Sequence, residues 1–139
     1  MTTENLRKTY DAATSLKAGG LVAATAAQPI ILDLGNAFMD ADLVIDVTAL
    51  EIAGNDEIYT ISLEGSNDPT MATASVELAR TVMGNNASPS DSDSNVGRHI
   101  VPFNNQFEGV YFRYVRLHVN VVGLIATGIN FSAFLAKKN

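Results

Sequence analysis

The run Val110-Tyr111-Phe112-Arg113-Tyr114-Val115-Arg116-Leu117-His118-Val119-Asn120-Val121-Val122-Gly123, continued by Leu124-Ile125-Ala126-Thr127-Gly128 and Ile129-Asn130-Phe131-Ser132-Ala133-Phe134-Leu135, decides the fold class. In its first arm Val115, Leu117, Val119 and Val121 fall in one phase, and Tyr114, Arg116, His118 and Asn120 in the other. Successive side chains of a strand point to opposite faces, so this alternation specifies a strand with one apolar and one wet side. The second arm sets Ile129, Phe131, Ala133 and Leu135 against Asn130, Ser132 and Phe134. Gly123 and Gly128 bracket the connection, where permissive backbone angles let a chain reverse. The expectation is a long C-terminal β-hairpin around which the remaining strands pack.

Working back along the chain, Leu43 to Ile52 alternates again, Ala53-Gly54-Asn55-Asp56 is turn-forming, and Tyr59, Ile61 and Leu63 continue into a partner strand. This predicts a second hairpin. Ile30 to Leu34, Val76 to Met83 and Arg98 to Phe103 read as further short strands. Residues 18–29 are small and loosely patterned and suit an edge, with Pro29 unable to sit mid-sheet. Residues 84–97 are polar, aperiodic and of low complexity, which predicts a surface loop. Residues 1–17 are expected to form a short N-terminal arm or helix, with Leu6 and Tyr10 on its thin apolar stripe, and residues 18–139 one domain. Seven or eight short strands with almost no helix predict an all-β antiparallel sandwich, jelly-roll-like as the preferred topology, with pattern alone not separating it from an immunoglobulin-like arrangement.

Composition narrows the function. The 139 residues contain no cysteine, so disulfides and thiolate metal sites are excluded. The net charge is −6 and unevenly spread. Asp33, Asp40, Asp42, Asp46, Glu51, Asp56, Glu57, Glu64, Asp68 and Glu77 all fall between residues 18 and 79, a stretch without Lys or Arg. Phosphate backbones need a basic footprint, so no nucleic-acid partner is expected. No apolar run is long enough to span a bilayer and no signal-peptide pattern opens the chain, which predicts no membrane role and synthesis in a cytoplasm.

Chemistry is sparse. His99 and His118 lie on different predicted strands without neighbouring carboxylates, short of the convergence a triad or a histidine metal site needs. Asp91-Ser92-Asp93 lacks the turn glycine and distal acid of a calcium loop. Gly123 to Gly128 has the outer spacing of a phosphate loop but not its Lys. No catalytic, cofactor or metal residues are assigned, and an enzyme is not expected. Two features suit a protein partner. Tyr114, Arg116, His118 and Phe134 would share the wet face of the C-terminal hairpin, and Tyr and Arg are favoured at contact cores. Leu124 and Ile125 sit at a predicted loop tip, where they must either tuck under the sandwich or be buried by a partner.

Several segments in order, Tyr10-Asp11-Ala12-Ala13, Ile31-Leu32-Asp33-Leu34-Gly35, Asp42 through Leu50, Leu63-Glu64-Gly65-Ser66-Asn67-Asp68, Gly97-Arg98, Tyr114-Val115-Arg116-Leu117 and Ala126 through Leu135, together resemble the small capsid cement (decoration) proteins of short-tailed bacteriophages. The resemblance runs from about residue 9 to 136 and departs at 84–97 and at Leu124-Ile125. It implies a jelly-roll sandwich acting as a homodimer on the outside of the phage head, made in the host bacterial cytoplasm and bridging neighbouring subunits of the major capsid protein. The competing reading is a carbohydrate-binding, discoidin-like sandwich, weakened by the lack of Trp as a sugar platform.

Overall fold

The computed structural model describes residues 14–54, 56–84 and 96–137. Twelve strands make up the described chain: β1 Ser15–Lys17, β2 Leu21–Val22, β3 Ala26–Ala27, β4 Leu32–Asp33, β5 Asp40–Leu50, β6 Ile58–Ser66, β7 Val76–Gly84, β8 Gly97–Asn104, β9 Gln106–Phe107, β10 Val110–Tyr111, β11 Tyr114–Val122 and β12 Ile129–Lys137. No helix occurs among the described residues. One sheet runs β1/β2–β12–β5–β8 and the other β3/β4–β11–β6–β7, with β9–β10 a separate two-stranded ribbon.

Every pairing is antiparallel, and together the pairings tell how the chain is wound. With β1/β2 and β3/β4 each taken as one interrupted arm, eight arms pair fourth with fifth, third with sixth, second with seventh and first with eighth. That is one long ribbon folded at the 66–76 turn and rolled up, the connectivity of a jelly roll. The expected all-β sandwich is therefore the fold.

The two expected hairpins are not. β11 pairs in full with β6, from Tyr114↔Ser66 to Val122↔Ile58, while β12 pairs with β5 in the other sheet. β5 and β6 likewise lie in different sheets. Both connections are arches between layers. Alternation shows that a strand has one buried face, but it is blind to which neighbour supplies the ladder.

The inward phases do what their spacing demands. Leu43, Ile45, Phe131 and Ile129 from one sheet meet Tyr59, Ile61, Leu63, Leu117 and Val119 from the other, all fully buried in one cluster. The margins are poor templates for further strands. On one side the edge is broken into the short pieces β1 to β4, with Pro29 in the gap between β3 and β4. On the other, β8 carries Pro102 and β7 has a register shift opposite Leu63/Glu64. Where β1 gives way to β2, Lys17 turns inward and donates to the carbonyls of Phe131 (2.7 Å), Gly20 (2.8 Å) and Ala18 (3.0 Å), with its ammonium 4.6 Å from the Phe131 ring centroid. Burial lowers its pKa from the ordinary lysine value.

The sandwich begins within residues expected to form the arm, since Ser15–Lys17 is already a strand on β12. Leu6 and Tyr10 lie outside the described residues. The winding gives the body two distinct ends. The arch end gathers the 22–26, 50–58 and 122–129 connections; the hairpin end gathers 33–40, 66–76 and 104–114.

Candidate protein-contact surfaces

At the arch end a single carboxylate organises the β11–β12 connection. Glu51 accepts the backbone N–H groups of Thr127 (2.6 Å), Gly128 (2.8 Å) and Ala126 (3.0 Å) and the Thr127 hydroxyl, and its own N–H donates to the Gly128 carbonyl. These donors favour the ionised form and hold its pKa down from 4.5 to about 2. Asp56 accepts the Leu124 N–H at 3.0 Å, and the fully buried Glu57 accepts those of Gly54 and Asp56. Tyr59 donates to the Glu51 carbonyl; burial, with the nearby charges of Glu51, Glu57 and Asp56, pushes its phenol up to about 12.

Only glycine fits the hinges of this connection. Gly123 and Gly128 have φ of 105° and 98°, and a Cβ at either would collide with the carbonyl oxygens of Asp56 and Val22 respectively. The clamp decides the fate of the two loop aliphatics. Ile125 tucks against the core, and Leu124 is thrown outward, 85% exposed, with exposed Leu21 and Val122 at the same end. The connections 19–25, 50–57 and 122–128 carry Glu51, Asp56 and Glu57 and no Lys or Arg.

The outer face of the β3/β4–β11–β6–β7 sheet holds Tyr114, Arg116 and His118, each partly buried. Here cations and anions are matched. Arg116 meets Glu64 at 3.3 Å and Arg80 meets Glu77 at 3.1 Å. Arg113 grips Asp33 with two bonds of 2.7 and 2.8 Å while lying over the Tyr114 ring. That pairing and the Gly35 N–H lower the Asp33 pKa to about 2.

Phe134 does not join this face. It is on β12, on the outer side of the opposite sheet, and is 1% exposed. It clusters with Val44 and Ala136 beneath the Arg98 guanidinium, which Asp46 holds at 2.7 and 3.0 Å. The shared face failed with the hairpin that implied it.

The hairpin end contains a surface the sequence reading missed. β9 and β10 form a tight ribbon, Phe107↔Val110 and Gln106↔Tyr111, closed by Glu108 and Gly109 at φ 50° and 80°. Two successive positive φ values are the mark of a type I′ turn, which matches strand twist. Two asparagines seat the ribbon. Fully buried Asn105 accepts the Met39 N–H (2.8 Å) and donates to the carbonyls of Ala37 (2.9 Å) and Phe112 (3.1 Å). Asn67 donates to the Tyr111 carbonyl and accepts the Arg113 N–H. Outside this seat Phe38, Phe107, Val110 and Tyr111 are each 45–50% exposed, with the Phe38 and Tyr111 rings 6.0 Å apart and tilted by 60°. The signal in the sequence was Phe107-Glu108-Gly109-Val110, two apolar residues about a two-residue turn.

Among the described residues no group of three His, Cys, Asp or Glu is placed to hold a metal ion, and no helix is long and apolar enough to cross a membrane. No protein-family model and no curated protein matches the chain.

Proposed function

We propose that the protein is a capsid cement protein, binding the outside of a phage head and tying neighbouring major capsid protein subunits together. The observation that carries this reading is Leu124, a large aliphatic held almost wholly in water by a backbone that Glu51 and Asp56 fix in place. A contact residue ordered before binding loses little entropy on docking, so more of its burial energy goes into affinity. The carboxylates around it favour an apolar socket rimmed by Lys or Arg. Cementing then follows from mass action. A body that binds only the assembled shell stabilises it, and modest contacts accumulate over many copies.

The test mixes purified protein with undecorated heads and follows co-sedimentation. Wild type sediments with heads, and Leu124→Ser lowers occupancy by roughly tenfold without changing the unfolding temperature. Absence of wild-type sedimentation overturns the reading.

One observation favours a second reading, a carbohydrate-binding module: the half-exposed Tyr111 and Phe38 rings could stack on sugars. Specific retention on a sugar column, lost in Tyr111→Ala, would establish it in place of cementing.

A further inference from the structure

We infer that the β9–β10 ribbon is a second docking element, a wedge that enters an apolar, basic-rimmed cleft on a different shell subunit from the one that receives Leu124. This rests on the cementing reading and deepens it.

The ribbon exposes an aromatic ring on each face, with the polar Gln106 beside Tyr111 on the second. Cross-strand partners share a face, so Phe107 and Val110 lie on one side and Tyr111 on the other, where it meets Phe38. Three half-exposed rings, Phe107 on one side and Tyr111 with Phe38 on the other, present roughly 300 Å² of aromatic surface in all. A flat sheet face would present one side to a partner; a two-stranded ribbon with a ring exposed on each side suits insertion.

What surrounds the rings favours a protein cleft as the occupant. A glycan site needs free amides or carboxylates beside its aromatic platform, to bond sugar hydroxyls. Here the seat's own amides are committed, Asn105 to Met39, Ala37 and Phe112 and Asn67 to Tyr111 and Arg113, which leaves the Gln106 amide across from Tyr111 and the Glu108 carboxylate at the turn as the polar side chains of the ribbon. The rings are also tilted by 60° rather than coplanar. An apolar protein cleft asks for none of those groups. The ribbon, residues 106–111, carries Glu108 at its tip and no base, so complementarity calls for Lys or Arg on the cleft's rim.

Position supplies the rest. The 104–114 connection and the 122–129 connection leave opposite ends of β11, so ribbon and Leu124 lie at opposite ends of the sandwich. A body with one anchor at each end spans two neighbours, and losing either anchor forfeits the gain from binding both at once.

The experiment compares wild type, Phe107→Ser/Val110→Ser, Glu108→Lys and Ile100→Ser for co-sedimentation with undecorated heads at limiting protein, together with light-scattering mass and retention on a sugar column. Ile100, partly exposed on the outer face of the β8 edge, serves as the control. The expected result is occupancy roughly tenfold lower for the double variant and for Glu108→Lys, with Ile100→Ser like wild type. Glu108→Lys keeps the apolar ribbon intact, so it still reports if the double variant misfolds. Wild-type occupancy in both ribbon variants overturns the wedge and leaves cementing standing. No sedimentation of the wild type overturns cementing and the wedge with it. A wild-type dimer that becomes monomeric in the ribbon variants while heads stay decorated assigns the wedge to a second copy and overturns the inference. Sugar-column retention that the ribbon variants lose overturns it in favour of a glycan.

Discussion

The 122–129 arch and the β9–β10 ribbon present apolar side chains at opposite ends of one sandwich, but different chemistry holds them. The arch hangs on carboxylates, Glu51 and Asp56, each receiving backbone N–H groups. The ribbon hangs on amides, Asn105 and Asn67, which both donate and accept. A carboxylate only accepts, so it serves where a reversing chain aims several N–H groups at one point. An amide can join a carbonyl to an N–H, so it suits two segments that pass side by side. The two devices differ above all in that one titrates and the other does not.

The largest effect is expected from the amide seat. Asn105→Ala would leave the Met39 N–H and the Ala37 and Phe112 carbonyls without partners in a buried site, costing about 3 kcal/mol, measurable by denaturant unfolding. At the arch, Gly128→Ala forces a Cβ into the Val22 carbonyl at a φ only glycine tolerates, and should cost about 2 kcal/mol in the same measurement.

Acid sharpens the contrast. Glu51 has a folded pKa of about 2, below its ordinary 4.5, so its contribution is complete above pH 4.5 and is lost as pH falls toward 2. Hydrogen exchange at Ala126 to Gly128, corrected for the intrinsic pH dependence, should therefore lose protection across that window. The amides of Met39 and Phe112, bonded to Asn105, should change less. Glu51→Gln should flatten the response at the arch, and an unaltered profile in that variant would assign the titration elsewhere. The smallest effect belongs to Arg116→Ala. Its pair with Glu64 is long and partly solvated, so stability should move by less than about 1 kcal/mol, and any larger loss in head binding would belong to the contact itself.

How much of this was legible in the sequence follows from what alternation encodes. Val115, Leu117 and Val119, or Ile129, Phe131 and Ala133, declare a buried phase whatever strand lies beside them, so the strands and the sandwich class were readable. Partner choice was not. Six residues between β11 and β12 can close a hairpin or cross between sheets, and what fixes the crossing is Glu51, some 75 residues before the loop it clamps. Phe134 was misplaced for the same reason, because its outward phase was mapped onto the wrong sheet. Leu124 was legible as a tip residue, but its separation from Ile125 depends on Asp56. The ribbon was missed because its short turn lay inside a stretch read as the approach to β11.

The rolled ribbon also governs when the molecule can form. The last strand, β12, is interior to its sheet, between β1/β2 and β5, and Ser15 finds its partner only in Phe134. β11, the last but one, is likewise interior to the second sheet. A growing chain thus completes one layer only once residues near 122 leave the ribosome and the other only near 137, and closing such distant pairs makes acquisition of the native state slow. Quality control is built into that order, since a product cut short before β12 loses the centre of a layer rather than a dispensable margin.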